Sequence, residues 1–145
     1  MKAFRALLGV ALVAVLSIAL AGCGVLGGGR NEALDGNWQL ESFGDAASPS
    51  GTDPGSVPAM TLDGGDVSGY TGVNTFSGSY TWRGDGTFEF GPLTYTEMGG
   101  SPAAMAQERA FLDALEATHR YEVVDTKLRL SDAEGGTLLV LVPAP

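Results

Sequence analysis

The chain of 145 residues holds one cysteine and one histidine, and only 8 Lys and Arg against 17 Asp and Glu. A single thiol excludes an internal disulfide, and it excludes any zinc site built from two or more thiolates. The shortage of basic groups, with a formal net charge of −9, excludes the cationic surface that binds phosphate backbones, so nucleic acid is not an expected partner. There is no nucleophile elbow, no phosphate-binding loop and no spaced pair of metal ligands. The length is too short for a full (β/α)8 barrel of roughly 250 residues. It suits one domain. Glycine, in contrast, is abundant at 22 residues. Each glycine inside a helix costs about 1 kcal/mol relative to alanine, which argues against a helical bundle.

The N-terminal end reads as an address. Lys2 and Arg5 give a short positive start, and Ala6 to Leu20 is a run of 15 residues interrupted chemically only by Ser17. Leu20-Ala21-Gly22-Cys23 then follows. A basic start, an apolar run and small residues before a cleavage point make a secretory signal. The ending resembles a bacterial lipobox, which implies that residues 1–22 are removed and that Cys23 becomes an acylated first residue. One acyl chain anchors only marginally, at about 0.8 kcal/mol per buried CH2, whereas several chains on one residue hold firmly. An uncleaved membrane helix is the competing reading, weakened by Gly22, Gly24, Gly27, Gly28 and Gly29. Residues 23–33 read as a lipidated flexible tether. Without the signal, six basic groups face 17 acidic ones, a net −11 over 123 residues.

Short strands between turn residues dominate the rest. Trp38–Phe43, Val57–Leu62, Val67–Tyr70, Phe76–Trp82 and Phe88–Phe90 read as strands, as do Tyr121–Val124, Lys127–Leu130 and Thr137–Val142. Gly44–Pro58 reads as a loop, and Leu93–Thr96 leads into another at Met98–Gly100. One helix is predicted near 102–118, with Ser101 as cap and Pro102 at its first position. Its stripe holds Met105, Glu108, Phe111, Leu112 and Leu115, with Arg109 and Asp113 spaced for an ion pair. The pattern predicts a mainly β fold, a small antiparallel barrel of about eight strands with one helix. A barrel of that size either fills with side chains or holds one small ligand.

Few residues carry a case for chemistry. Asp35, Asp63, Asp85 and Glu134 sit beside glycines and are accounted for by turns. Asp63 and Asp66 are too few oxygens for a calcium site. His119, just after the helix, favours the helix C-terminus electrostatically and has no partner for metal or base work. A thiolate–imidazole pair of Cys23 with His119 fails because Cys23 belongs to the export segment. Glu108 is the informative residue. A carboxylate on an apolar stripe must be hydrogen-bonded or must titrate. The first reading predicts that it accepts N–H groups from the Gly72–Thr75 turn or the Gly99–Ser101 loop. The second makes it an enzymatic group beside another carboxylate.

Four segments together resemble the META domain of HslJ-type heat-inducible envelope proteins. They are Leu34-Asp35-Gly36-Asn37-Trp38-Gln39-Leu40, the run Gly72-Val73-Asn74-Thr75-Phe76-Ser77-Gly78-Ser79-Tyr80, Phe90-Gly91-Pro92-Leu93 with Thr96-Glu97-Met98, and the helix Met105–Leu115. The resemblance covers about Leu34 to Val142 and makes 34–145 a META-like domain. It implies a lipocalin-like barrel, frequent lipid anchoring, links to heat response, motility or novobiocin resistance, and no enzymatic activity or cofactor. The family pattern often carries cysteines where this chain has Val73 and Gly100. Their joint absence implies that the two positions are spatial neighbours whose cross-link has been dispensed with. The structural candidates are therefore Glu108, Asn74, Val73 and Gly100, with Cys23 as the lipidation site and no catalytic or metal residue.

These readings combine into an expectation. The chain is a lipoprotein held through Cys23 to the extracytoplasmic side of the cell membrane, with a non-catalytic stress or binding role. A lipocalin-like carrier of a small apolar ligand and an enzyme using Glu108 are the alternatives. The sequence names no protein partner.

Overall fold

The computed structural model describes residues 30–44 and 50–145. The expectations for residues 1–22 and for Cys23 lie outside the described residues. Ten strands and one helix follow in order: β1 (Gly36–Phe43), β2 (Ser50–Gly51), β3 (Ala59–Asp63), β4 (Asp66–Tyr70), β5 (Thr75–Trp82), β6 (Phe88–Phe90), β7 (Thr94–Tyr95), α1 (Pro102–Glu116), β8 (Arg120–Val124), β9 (Lys127–Ser131) and β10 (Thr137–Pro143). All pairings are antiparallel, and the sheet order is β6-β5-β4-β3-β1-β10-β9-β8.

That path of eight strands curls into a nearly closed barrel. Closure is made by the Thr87–Arg120 bridge, by Phe88 N–H donating to the His119 carbonyl at 3.0 Å and by Tyr121 N–H donating to the Gly86 carbonyl at 2.9 Å. Alternation places the interior side chains. Trp38, Leu40 and Ser42 of β1 are buried, as are Met60 and Leu62 of β3, and Phe76 and Tyr80 of β5. Leu128, Leu130, Leu139 and Leu141 complete the core from the C-terminal hairpin. Burying one such side chain contributes roughly 1.5–3 kcal/mol. Phe88 stands at the seam with no exposed surface. Its ring stacks on Tyr80 at 5.1 Å and meets Phe90 and Tyr121 edge-on at 4.9 and 5.8 Å.

Three features differ from the sequence reading. Ser50–Gly51, in a predicted loop, pairs with β1, and Thr94–Tyr95, in the segment leading into the Met98–Gly100 loop, pairs with β5. Two-residue strands are too short to show a period. The helix ends at Glu116, two residues early, because the buried Thr118 hydroxyl donates to the Ala114 carbonyl at 2.8 Å and the chain turns there into β8. Among the described residues the ion pairs are Arg30–Asp63, Lys127–Glu41 and Arg129–Glu122, so Arg109 and Asp113 do not pair.

Each end of the β3–β4–β5 meander is held by a carboxylate. At the β3–β4 turn, Asp35 Oδ1 accepts from Gly64 N–H at 3.1 Å and from the Tyr80 hydroxyl at 2.9 Å. Asp35 belongs to a tight turn in which the Leu34 and Asp35 N–H groups donate to the Asn31 carbonyl. Residues 31–33, placed in the tether from sequence, take part in that turn. Its buried Leu34 joins the core, and the Leu34 carbonyl accepts the Trp38 indole N–H at 2.8 Å. The opposite end, at the β4–β5 turn, is covered by α1. There Phe111 meets Phe76 edge-on at 6.0 Å, and Leu115 is fully buried.

Burial, reinforced by the bond to Asp35, pushes the Tyr80 phenol up from 10.0 to about 12. A raised folded-state value means that the folded chain keeps a proton the unfolded chain has lost. The contribution of Tyr80 to stability is therefore complete below pH ~10 and declines as pH rises toward about 12. At about 1.4 kcal/mol per pKa unit, the decline amounts to about 2–3 kcal/mol. Urea unfolding between pH 9 and 11.5 should show the native chain losing stability faster than Tyr80→Phe, so that their curves converge. A constant gap across that range would contradict this assignment.

Candidate functional site

The helix carries the site because its sequence period turns Glu108 inward. Ala104, Glu108, Phe111, Ala114 and Leu115 form the buried stripe, and Met105 and Leu112 lie at its half-buried margins. Ser101 caps the helix by accepting Ala104 N–H at 3.2 Å, which fixes the phase of the first turn.

Glu108 is 7% exposed. Its Oε1 accepts the Thr71 hydroxyl at 2.6 Å and the Asn74 amide at 2.9 Å. Asn74 belongs to the expected Gly72–Thr75 turn, and Thr71 directly precedes it. Both donate through their side chains, not their backbone N–H groups, and the Gly99–Ser101 loop supplies none. Thr71 in turn organises that turn, its hydroxyl oxygen accepting Asn74 N–H at 2.9 Å and Val73 N–H at 3.3 Å.

The Asn74 side chain spends its whole hydrogen-bonding capacity on three residues. Its amide nitrogen donates to Glu108 and to the Met98 carbonyl at 3.1 Å. Its amide oxygen accepts Met98 N–H at 2.7 Å and the Thr96 hydroxyl at 2.8 Å. A four-way amide of this kind can occupy only one orientation. One helix, one turn and the Thr96–Met98 segment are thereby fastened together. Among the described residues no buried side-chain nitrogen or oxygen lacks a partner.

Gln107, next to Glu108, holds a second loop. Its amide oxygen accepts Asp53 N–H at 2.7 Å, and its amide nitrogen donates to the Ser56 carbonyl. Ser56 and Tyr70 both donate their hydroxyls to the Gly72 carbonyl. Sequence reasoning passed over Thr71 and Gln107, and it gave Asp35 a local turn role without its bonds to Gly64 and Tyr80. Thr71 had a readable signal, a threonine three residues before a buried asparagine, the spacing of a hydroxyl-capped turn. Gln107 had none, because its partners are loop backbone.

Val73 and Gly100 lie side by side. A Cβ built on Gly100 would stand 3.1 Å from both Val73 methyls and 3.7 Å from the Ala104 Cβ. His119 is exposed, with Nδ1 3.0 Å from the Ala117 carbonyl at the end of α1. Asp63 faces Arg30 across an exposed 3.3 Å pair. Among the described residues no three His, Cys, Asp or Glu side chains converge as a metal cluster. The geometry can rigidify and present loops. The hydrogen-bond partners of Glu108 are neutral, and no second carboxylate shares them.

Removing the Glu108 carboxylate strands two buried donors, at about 1–3 kcal/mol each. Glu108→Ala should therefore lower stability by about 2–4 kcal/mol in urea denaturation, and Glu108→Gln by less. A double-mutant cycle with Asn74→Ala should show strong coupling, and additive effects would deny the network. Val73→Cys with Gly100→Cys should oxidise without disturbing the fold. Closing a loop of about 27 residues typically adds about 2–4 kcal/mol, read as a dithiothreitol-sensitive rise in Tm.

A family model described as the META domain matches residues 31–144. Among the curated proteins none matches the chain. Solved structures share its fold. An NMR structure of a protein from Burkholderia xenovorans is 25% identical, with a TM-score of 0.64 over 77% of this chain and 83% of the other. A second NMR structure is 21% identical, with a TM-score of 0.54 over 74% and 88% of the two chains. A crystal structure of a duf4847 family protein from Bacteroides vulgatus is 15% identical, with a TM-score of 0.57 over 78% and 95%. The family match spans the barrel from its N-terminal turn to the end of β10, and the chain belongs to the META domain family.

Proposed function

We propose that this chain is a cell-envelope lipoprotein, tethered through Cys23 on the extracytoplasmic side, whose META domain acts by non-catalytic binding in a stress-linked role. The observation that carries the proposal is the order of parts: Leu-Ala-Gly-Cys, a glycine-rich spacer, then a self-contained barrel. Arg30 is seven positions past Cys23. Seven extended residues reach about 25 Å at most, so an acylated Cys23 would keep the domain close to the bilayer. The net acidic surface keeps such a domain off anionic headgroups and away from nucleic acids.

The barrel interior weighs against a lipocalin-like carrier. Phe88, Phe111, Leu62, Leu128, Leu139 and Leu141 have no exposed surface and share one cluster, with Trp82 and Phe90 packed against it. Those side chains occupy the space where a carried ligand would sit. An enzymatic role for Glu108 has equally little support, since both groups it holds are neutral donors that fix loop conformation.

Intact-mass analysis of protein recovered from host membranes tests the anchor. The native chain should begin at Cys23 and carry acyl chains, with palmitate label incorporated. Cys23→Ser should remain unprocessed and unlabelled. Recovery of native protein that retains Met1 and lacks acyl mass would overturn the proposal.

A further inference from the structure

The Phe90-Gly91-Pro92-Leu93 segment has a face that the Glu108 network does not use. The chain leaves β5 after the Tyr80–Phe90 pair and rejoins it at Ser77–Thr94. Between these points Gly91 N–H donates to the Ser79 carbonyl at 2.8 Å. Two glycines let this bulge press flat on β5. A Cβ on Gly78 would stand 2.7 Å from the Leu93 side chain and 2.8 Å from the Pro92 carbonyl oxygen, and a Cβ on Gly91 would stand 2.6 Å from Ser79 Oγ. Glycine within a strand often marks such a close approach, and bulges re-aim the residues around them.

The bulge and α1 enclose a groove of about 260 Å³. Phe90, Pro92, Leu93 and Tyr95 form one wall, and Leu112 with Glu116 the other. Leu112 and Glu116 are four apart and so share a helix face. Phe90, Leu93 and Leu112 are half-buried, while Tyr95 is 50% exposed. Glu116 has no cationic partner among the described residues. Glu89 and Asp113 are exposed on the flanking elements. Arg109 is the one cation of α1, two turns from Glu116 and one from Leu112.

We propose that this groove binds a small organic cation, an ammonium group carried on an aromatic ring or short aliphatic body. Apolar walls take the body, the aromatic rings of Phe90 and Tyr95 suit a cation, and the Glu116 carboxylate supplies the counter-charge. The volume falls below the roughly 300–1,000 Å³ of drug-sized sites, which limits the ligand to about one ring or a short chain. A surface of net negative charge raises the local concentration of such ligands. The site is independent of acylation at Cys23, so its failure would leave the anchor untouched.

Amide chemical-shift titration of the full chain in dodecyl maltoside micelles tests this, with phenethylammonium as probe and 3-phenylpropionate as its anionic counterpart. Phenethylammonium should give saturable shifts within residues 90–95 and 112–116, and the anion should not. Glu116 is exposed, so Glu116→Gln should fold normally. It should weaken phenethylammonium binding about two- to fivefold, the scale of one exposed charge pair. Equal responses to the two probes, unchanged affinity in Glu116→Gln, shifts confined to other surfaces or no saturable shift would each overturn the proposal.

Discussion

The carboxylate of Glu108 is the contact on which the helical end of the barrel depends. A buried acid is unfavourable unless its charge is met by donors. Here it is met by Thr71 and Asn74, and each donor has further obligations. Thr71 shapes the β4–β5 turn, and Asn74 holds Met98 by both its N–H and its carbonyl. Loss of the charge would therefore affect three chain segments that are far apart in sequence. Charge-assisted bonds of 2.6 and 2.9 Å explain why a polar group tolerates a place on an otherwise apolar stripe.

The barrel uses the same device at its other end. Asp35 joins the N-terminal turn to the β3–β4 hairpin and to β5, as Glu108 joins the helix to the β4–β5 turn. Both carboxylates sit where strands give way to turns, where backbone groups lack ladder partners. Between them the interior is apolar and filled. The loops held by Gln107 and Asn74, and the groove between the β6–β7 bulge and α1, lie outside that filled interior. A rigid scaffold that fixes its loops through side-chain hydrogen bonds is a common base for recognition surfaces.

Val73 and Gly100 meet at the junction between the β4–β5 turn and the start of α1. The valine methyls fill the space that a second side chain at position 100 would need. The Asn74–Met98 bonds lie one residue from Val73 and two from Gly100, and they secure the same junction. Packing and hydrogen bonding hold this junction in a chain whose only thiol lies at position 23.

Local chemistry determined much of this protein from sequence alone. Alternation in Phe76–Trp82, the Asp63–Asp66 turn, the Ser101–Pro102 helix start and the lone acid on the helix stripe were all legible, because each depends on neighbours within about four residues. The META resemblance drew on those same segments. The two-residue strands at Ser50–Gly51 and Thr94–Tyr95 were not legible, since they exist only because β1 and β5 offer open edges to pair with. The Gly72–Thr75 turn was legible as a donor segment for Glu108, but which of its groups donate was not, for a related reason. Glu108 lies 37 residues from Thr71 and 34 from Asn74, and nothing local records which turn atoms reach it. Sequence fixed which groups required partners. Only the closing of the sheet, with α1 set across one end, decided which partners they found and left a groove beside Glu116.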